Sequence, residues 1–124
     1  MSRKTRTKPD TLGQFEQLVL TAVLTLGEEA YGVPIHEKIT GLAGGKPAHL
    51  GSMYVTLDRL EAKGYVRSRL EDTVPDGRRR TRRFYRIEPD GERALRESVA
   101  TARRVYETLG DPWRLGRWKP NRAG

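Results

Sequence analysis

Residues 50–86, LGSMYVTLDRLEAKGYVRSRLEDTVPDGRRRTRRFYR, decide the fold. The first part is helical from about residue 51 to 63, because Leu50, Met53, Leu57 and Leu60 recur on one side and Gly64 supplies a stop. At about 100° per residue, Ser52, Val55 and Arg59 fall on the opposite side, with Thr56 and Lys63 beside them and Tyr54 on the boundary. Two strand candidates follow, residues 65–70 and 82–87, joined through the turn signal Pro75-Asp76-Gly77. Alternation along the second puts Phe84 and Arg86 on one face and Arg83, Tyr85 and Ile87 on the other, and the loop between the strands reads as long for a hairpin. A helix followed by a basic hairpin is the outline of a winged helix, a shape suited to a charged duplex.

Charge points the same way. The chain carries 24 Lys and Arg against 16 Asp and Glu, a net +8. Residues 1–10 contribute +3, from Arg3, Lys4, Arg6 and Lys8 against Asp10. Residues 75–86 contribute +5, from Arg78, Arg79, Arg80, Arg82, Arg83 and Arg86 against Asp76. These two segments hold the whole surplus, so the positive field is directed rather than diffuse, and a polyphosphate is the natural partner.

Toward the N-terminus, the polar, basic residues 1–10 read as a flexible arm. Phe15, Leu18, Val19, Ala22, Val23 and Leu26 then recur at helical spacing, with Thr11 as N-cap and Gly27 as stop. Tyr31-Gly32 forms a turn, and Pro34 suits the first position of a second helix, where its missing backbone donor costs nothing. Ile35, Ile39 and Leu42 supply that helix's apolar stripe, and Gly44, Gly45 and Pro47 break the chain. Beyond the hairpin, Pro89-Asp90-Gly91 ends the sheet, and Asp90 caps a last helix reaching about Leu109. In it Leu95, Val99, Ala102, Tyr106 and Leu109 step in a heptad-like seam that needs something to pack on, and Gly110 and Pro112 stop it. The division is a basic arm over 1–10, a winged-helix domain over 11–88, a C-terminal helix over 89–110 and a tail over 111–124.

Several classes are excluded. There are no cysteines and only two histidines, His36 and His49, which read as surface or helix-end residues, so neither a disulfide framework nor a metal site is expected. Residues 41–47 only superficially suggest a phosphate loop: the glycine spacing is one residue short, and Pro47 stands where a magnesium-binding hydroxyl belongs. No nucleophile-base set or paired carboxylates can be assembled, so no enzyme and no cofactor is expected. No apolar run approaches the roughly 20 residues of a membrane span, and a cytoplasmic location is the expectation.

The order of these motifs resembles the PadR family of bacterial transcriptional regulators. The matching text is FEQLVLTAVLTLGEEAYGVPIHEKI, GSMYVTLDRLEAKGYV and RRFYRIEPDGERAL, together most of residues 13–97. The combination of Tyr31-Gly32, then Gly51, Tyr54, Leu57, Arg59-Leu60-Glu61 and Gly64, then Arg83, Tyr85 and Gly91 carries the resemblance. It implies an α+β winged helix-turn-helix of three helices and a β-hairpin wing that dimerises through a single C-terminal helix and represses transcription from an inverted repeat. The arginine-rich wing tip and the tryptophan-containing tail depart from the family pattern.

On this reading Ser52, Tyr54, Val55, Thr56, Arg59 and Lys63 face double-stranded DNA, and Arg78, Arg79, Arg80, Arg82 and Arg83 grip phosphates. The plainer alternative is an amphipathic helix and a charge run that are merely solvated. Leu95, Val99, Ala102, Tyr106 and Leu109 are the expected homodimer contacts, Leu95 also serving the domain's own core. Two readings stay open for Trp113 and Trp118: stacking on a small-molecule effector at the interface, or packing on their own helix. An RNA-binding winged helix and a protein-interaction module whose hairpin docks an acidic partner are the rival functions.

Overall fold

In the computed structural model, which describes residues 11–113, the helix α1 (Gln14–Leu26) is the central element. Val19, Leu20, Ala22 and Val23 are all buried, more of its circumference than a one-sided stripe, because α1 is covered by helices and by the sheet together. Periodicity alone does not reveal the burial of Leu20. The helix begins differently from expectation: Gly13 is the N-cap rather than Thr11, and the Glu16 carboxylate reaches back to accept the Gly13 N–H at 2.9 Å. Gly27 ends the helix at φ +59°, a left-handed value that glycine adopts without strain.

The helix α2 (Gly32–Leu42) starts two residues before Pro34, which lies within the first turn, where backbone donors lack intrahelical partners anyway. Ile35 and Ile39 are buried, but Leu42 is exposed at the helix end. The link to α3 (Leu50–Ala62) is held by His36, whose ring Nε2 lies 2.7 Å from the carbonyl oxygen of Ala48.

In α3 the buried set is Met53, Thr56, Leu57 and Leu60, while Leu50 is exposed. Periodicity places Leu50 on the inner stripe and Thr56 outside; the helix is in fact rotated away from Leu50. Thr56 lies three residues from Met53 and four from Leu60, so it shares their face and is only 6 % exposed.

The hairpin is longer than expected and its loop shorter. Strands β1 (Val66–Thr73) and β2 (Arg80–Ile87) pair antiparallel from Val66 opposite Ile87 to Thr73 opposite Arg80. A tight turn at Pro75–Gly77 closes them, with Asp76 at φ +55° and Gly77 at +76°. Val66 and Tyr85 face the core; Phe84, on the other face, is buried under Tyr31, whose ring centroid lies 5.2 Å away. The Tyr85 N–H donates to the Ala30 carbonyl at 2.8 Å, and Tyr31 forms a bridge to Phe84, so the chain before α2 lines β2.

The helix α4 (Pro89–Trp113) begins at Pro89, so Asp90 is inside the first turn and pairs with Arg93 instead of capping. Gly110 and Pro112 lie within it and do not stop it. At about 1.5 Å per residue its 25 residues span roughly 37 Å. Among its described side chains the packed ones lie at its start: Gly91, Ala94 and Leu95 are buried, while residues 99–109 are exposed. A Cβ at Gly91 would overlap the Tyr65 carbonyl, which also accepts the Glu88 N–H at 2.8 Å, so the helix leaves the sheet by backbone-to-backbone contact.

This packing sets the cost of adding a methyl group at two glycines of α4. Gly91→Ala should destabilise the protein by about 1–3 kcal/mol, because backbone must move to admit the methyl. Gly110→Ala, with nothing within 4 Å of its Cβ, should instead be neutral to stabilising, by up to about 1 kcal/mol; denaturant titration of the two variants separates the cases. Burial pushes the Tyr85 hydroxyl up from 10.0 to about 12; Arg83 opposes the shift, and the Asp58 and Glu61 carboxylates and Tyr54 add to it. The folded state therefore holds this proton where the unfolded chain has released it. Tyr85's contribution to stability is present below pH 10.0 and is lost as pH rises toward 12, so Tyr85→Phe should flatten the fall in stability over that window in pH-dependent melting.

Candidate nucleic-acid interface

With Met53, Thr56, Leu57 and Leu60 buried, α3 presents Ser52, Tyr54, Val55, Asp58 and Arg59 outward. Its first half is small or half-apolar, which lets backbone approach a groove, and Arg59 carries a planar donor fork suited to a guanine edge or a phosphate. Asp58, on the same exposed side, adds an acceptor that the sequence reading did not single out. Tyr54 is pinned rather than loose: its hydroxyl occupies the space that a Cβ at Gly32 would need, so α3 seats directly on the start of α2. That close approach gives a physical reason for the Tyr31-Gly32 pair.

Lys63 is placed otherwise than expected. It is drawn toward α1, with Nζ 3.1 Å from Glu16 and 5.7 Å from the Tyr65 ring centroid, and so joins helix to helix. Thr56, being buried, is likewise removed from the outward face.

The wing is braced against α3 by a chain of hydrogen bonds. The Ser68 N–H donates to Glu61 Oε2 at 3.1 Å, and the Ser68 hydroxyl lies 2.9 Å from both Glu61 carboxylate oxygens. Arg83 Nη1 donates to Ser68 Oγ at 3.0 Å, which commits that guanidinium in part to the brace. At the tip, Arg78 and Arg80 are exposed and have no acidic partner among the described residues, and neither does Arg59. Arg79 reaches Asp72 at 3.4 Å, but both groups are well exposed and such a pair contributes little. Arg82 lies 4.3 Å over the Tyr31 ring, a cation–π contact that fixes its orientation.

The structure also gathers cations that sequence reasoning missed. Arg67 and Arg69 of β1 lie on the same face of the hairpin as Arg80, Arg82 and Arg86 of β2. Their alternation around Ser68 is visible in the text, but only the register shows which residues of the second strand they join.

On α4, Leu95 is 6 % exposed and belongs to the domain's own core, so it is not free for a partner. Val99, Ala102, Tyr106 and Leu109 remain exposed, and Val105 widens their stripe. The arm over 1–10 and Trp118 lie outside the described residues.

Residues 19–97 match the transcriptional regulator PadR-like family. Among curated proteins none matches the chain. Solved structures with the same fold include a PadR family transcription regulator from Clostridium difficile, 20% identical with TM-score 0.63, the alignment covering 79% of this chain and 96% of that one. A PadR-like transcriptional regulator from Bacillus cereus is 21% identical with TM-score 0.63, covering 77% and 86%. A PadR family transcriptional regulator from Eggerthella lenta is 27% identical with TM-score 0.57, covering 76% and 79%. With the family match spanning 79 of 124 residues and the same winged helix in its neighbours, the chain belongs to the PadR-like family of DNA-binding transcriptional regulators.

Proposed function

We propose that the protein is a cytoplasmic homodimeric repressor that occludes an inverted-repeat operator. Residues 11–88 act as the DNA-reading unit and the helix over 89–110 as the dimer contact. The observation that carries the reading is the pairing of an outward α3 face with Arg78 and Arg80 at the wing tip, which have no acidic partner among the described residues, and with Arg79, whose exposed pair with Asp72 contributes little. Ser52, Tyr54, Val55 and Arg59 face base edges in the major groove, and Arg78, Arg79 and Arg80 contact flanking phosphates, with Arg82 and Arg83 held close behind. The Glu61–Ser68 brace sets wing and helix in one relative position, so that a single duplex meets both.

Dimerisation is supported by the α4 stripe. An apolar row of Val99, Ala102, Val105, Tyr106 and Leu109 that projects past its own domain lacks a covering surface within the described chain, and a second copy of the helix matches it in length and spacing. Two-fold pairing would set two α3 helices about one duplex turn apart, roughly 34 Å, and thereby select a palindrome. An effector bound between the subunits would act by changing that spacing.

Selection of bound duplexes from a random pool tests the whole reading: a two-fold symmetric motif is expected, and enrichment without symmetry, or preference for structured RNA over duplex DNA at equal salt, overturns it. Arg59→Ala should relax preference at one base position in each half-site by about 1–3 kcal/mol, seen by comparing operator variants. Replacing Arg78, Arg79 and Arg80 with alanine should weaken binding on all sequences alike and lower the salt slope by about 0.9 for each phosphate no longer neutralised. Tyr106, 74 % exposed, provides the dimer test: Tyr106→Glu should convert dimer to monomer in sedimentation while leaving thermal stability of the single domain nearly unchanged.

A further inference from the structure

The side of the hairpin turned away from α3 carries three arginines, Arg67, Arg69 and Arg86, that the repressor reading does not use. Antiparallel register puts the pairs Arg67–Arg86, Arg69–Phe84, Glu71–Arg82 and Thr73–Arg80 on one face. That face has five arginines against one glutamate, Glu71. The opposite face holds Val66, Tyr85 and the Ser68–Glu61 brace, and so looks toward the core and α3. Successive side chains of a strand point to opposite sides, so the arginine face looks away from the core and from α3, and its root residues Arg67 and Arg86 lie farthest from the wing tip.

Two of its cations are stacked on aromatic rings. Arg82 lies 4.3 Å over Tyr31, Tyr31 packs at 5.2 Å against Phe84, and Arg69 lies 5.1 Å over Phe84 on the far side. A guanidinium stacked on a ring keeps its edge donors available, and that edge is the part that binds a phosphate in bidentate fashion. Arg69 also pairs with Glu71 at an exposed site where such a pair contributes little, Arg86 lies 3.5 Å from the half-buried Glu88, and Arg67 and Arg80 have no acidic partner among the described residues.

We propose that this outer wing face is a second nucleic-acid site, which holds the sugar-phosphate backbone of a duplex segment other than the one under α3. The inference rests on the duplex-binding reading of α3. Position separates the two sites: Arg67 and Arg86 sit at the root of the hairpin, six strand residues from Thr73, roughly 20 Å from the tip at about 3.4 Å per residue. Chemistry selects the occupant. A protein partner would need exposed apolar anchors, but Phe84 is 8 % exposed and the two aromatic rings are covered by Arg69 and Arg82. What remains outward is a row of guanidinium groups with little apolar surface, which fits an evenly charged backbone and reads no sequence.

The consequence is bridging: one dimer holds an operator on its α3 helices and a second stretch of DNA on its wings. The test is capture of a second duplex. Full-length protein is saturated with an immobilised duplex, and retention of a fluorescent duplex is measured at low salt beside affinity for the first. A triple variant, Arg67→Gln, Arg69→Gln and Arg86→Gln, keeps the side-chain stems and the α3 surface. It should lose capture by about tenfold or more while first-duplex affinity stays within about threefold. Capture unchanged in the variant, or none by the wild-type protein that binds its first duplex normally, overturns the second site. A parallel fall in first-duplex affinity overturns it too, by assigning these arginines to the same duplex. Displacement of the second duplex by polyglutamate as readily as by unlabelled DNA overturns the choice of nucleic acid. Failure to bind any duplex would instead overturn the repressor reading, so the two are distinguished.

Discussion

Two adjacent aromatic residues, Phe84 and Tyr85, hold this molecule together. They point to opposite sides of β2, yet both are buried, Tyr85 at 2 % exposure among the helices and Phe84 beneath Tyr31 and Arg69. A two-stranded hairpin is marginal on its own in water. Here its root is fixed on both faces and along its edge, where Ala30 accepts the Tyr85 N–H. The position of the wing beside α3, the direction of its outer arginines and the point at which α4 departs all derive from that anchoring.

The basic side chains divide into those that assemble the fold and those left for a partner. Lys63 ties α3 to α1 through Glu16, Arg83 completes the brace from Glu61 through Ser68, and Arg93 and Arg96 pair within the first turns of α4. Arg59, Arg67, Arg78 and Arg80 have no acidic counterpart among the described residues. Formal charge alone does not distinguish the two groups, since residues from both occur within a few positions of each other. Register and helix rotation do.

The same economy marks α4. Its first two turns complete the core of a small domain through Ala94 and Leu95, and its later turns leave an apolar stripe in solvent. One helix thus belongs partly to the domain's interior and partly to its surface, with the change near Ser98. The close seat of Gly91 on the Tyr65 carbonyl fixes the angle at which the exposed part projects.

Much of this was legible before folding. Helix count, the hairpin, the faces of Phe84 and Tyr85 and the stops at Gly27 and Gly64 follow from local rules: apolar period, strand alternation and the left-handed freedom of glycine, each acting over a few residues. The family resemblance rested on those same residues. What the chain alone left undecided was every choice that depends on a neighbour distant in sequence. Periodicity puts Leu50 inside and Thr56 outside, and only the packing of the assembled fold reverses them, leaving Leu50 exposed and Thr56 buried. Lys63 looked outward until Glu16 came within reach. Arg67 and Arg69 belonged to no cluster until pairing with β2 put them beside Arg82 and Arg86. Periodicity tells which residues share a side of an element; which way that side turns is set by the hydrophobic and electrostatic contacts of the assembled fold.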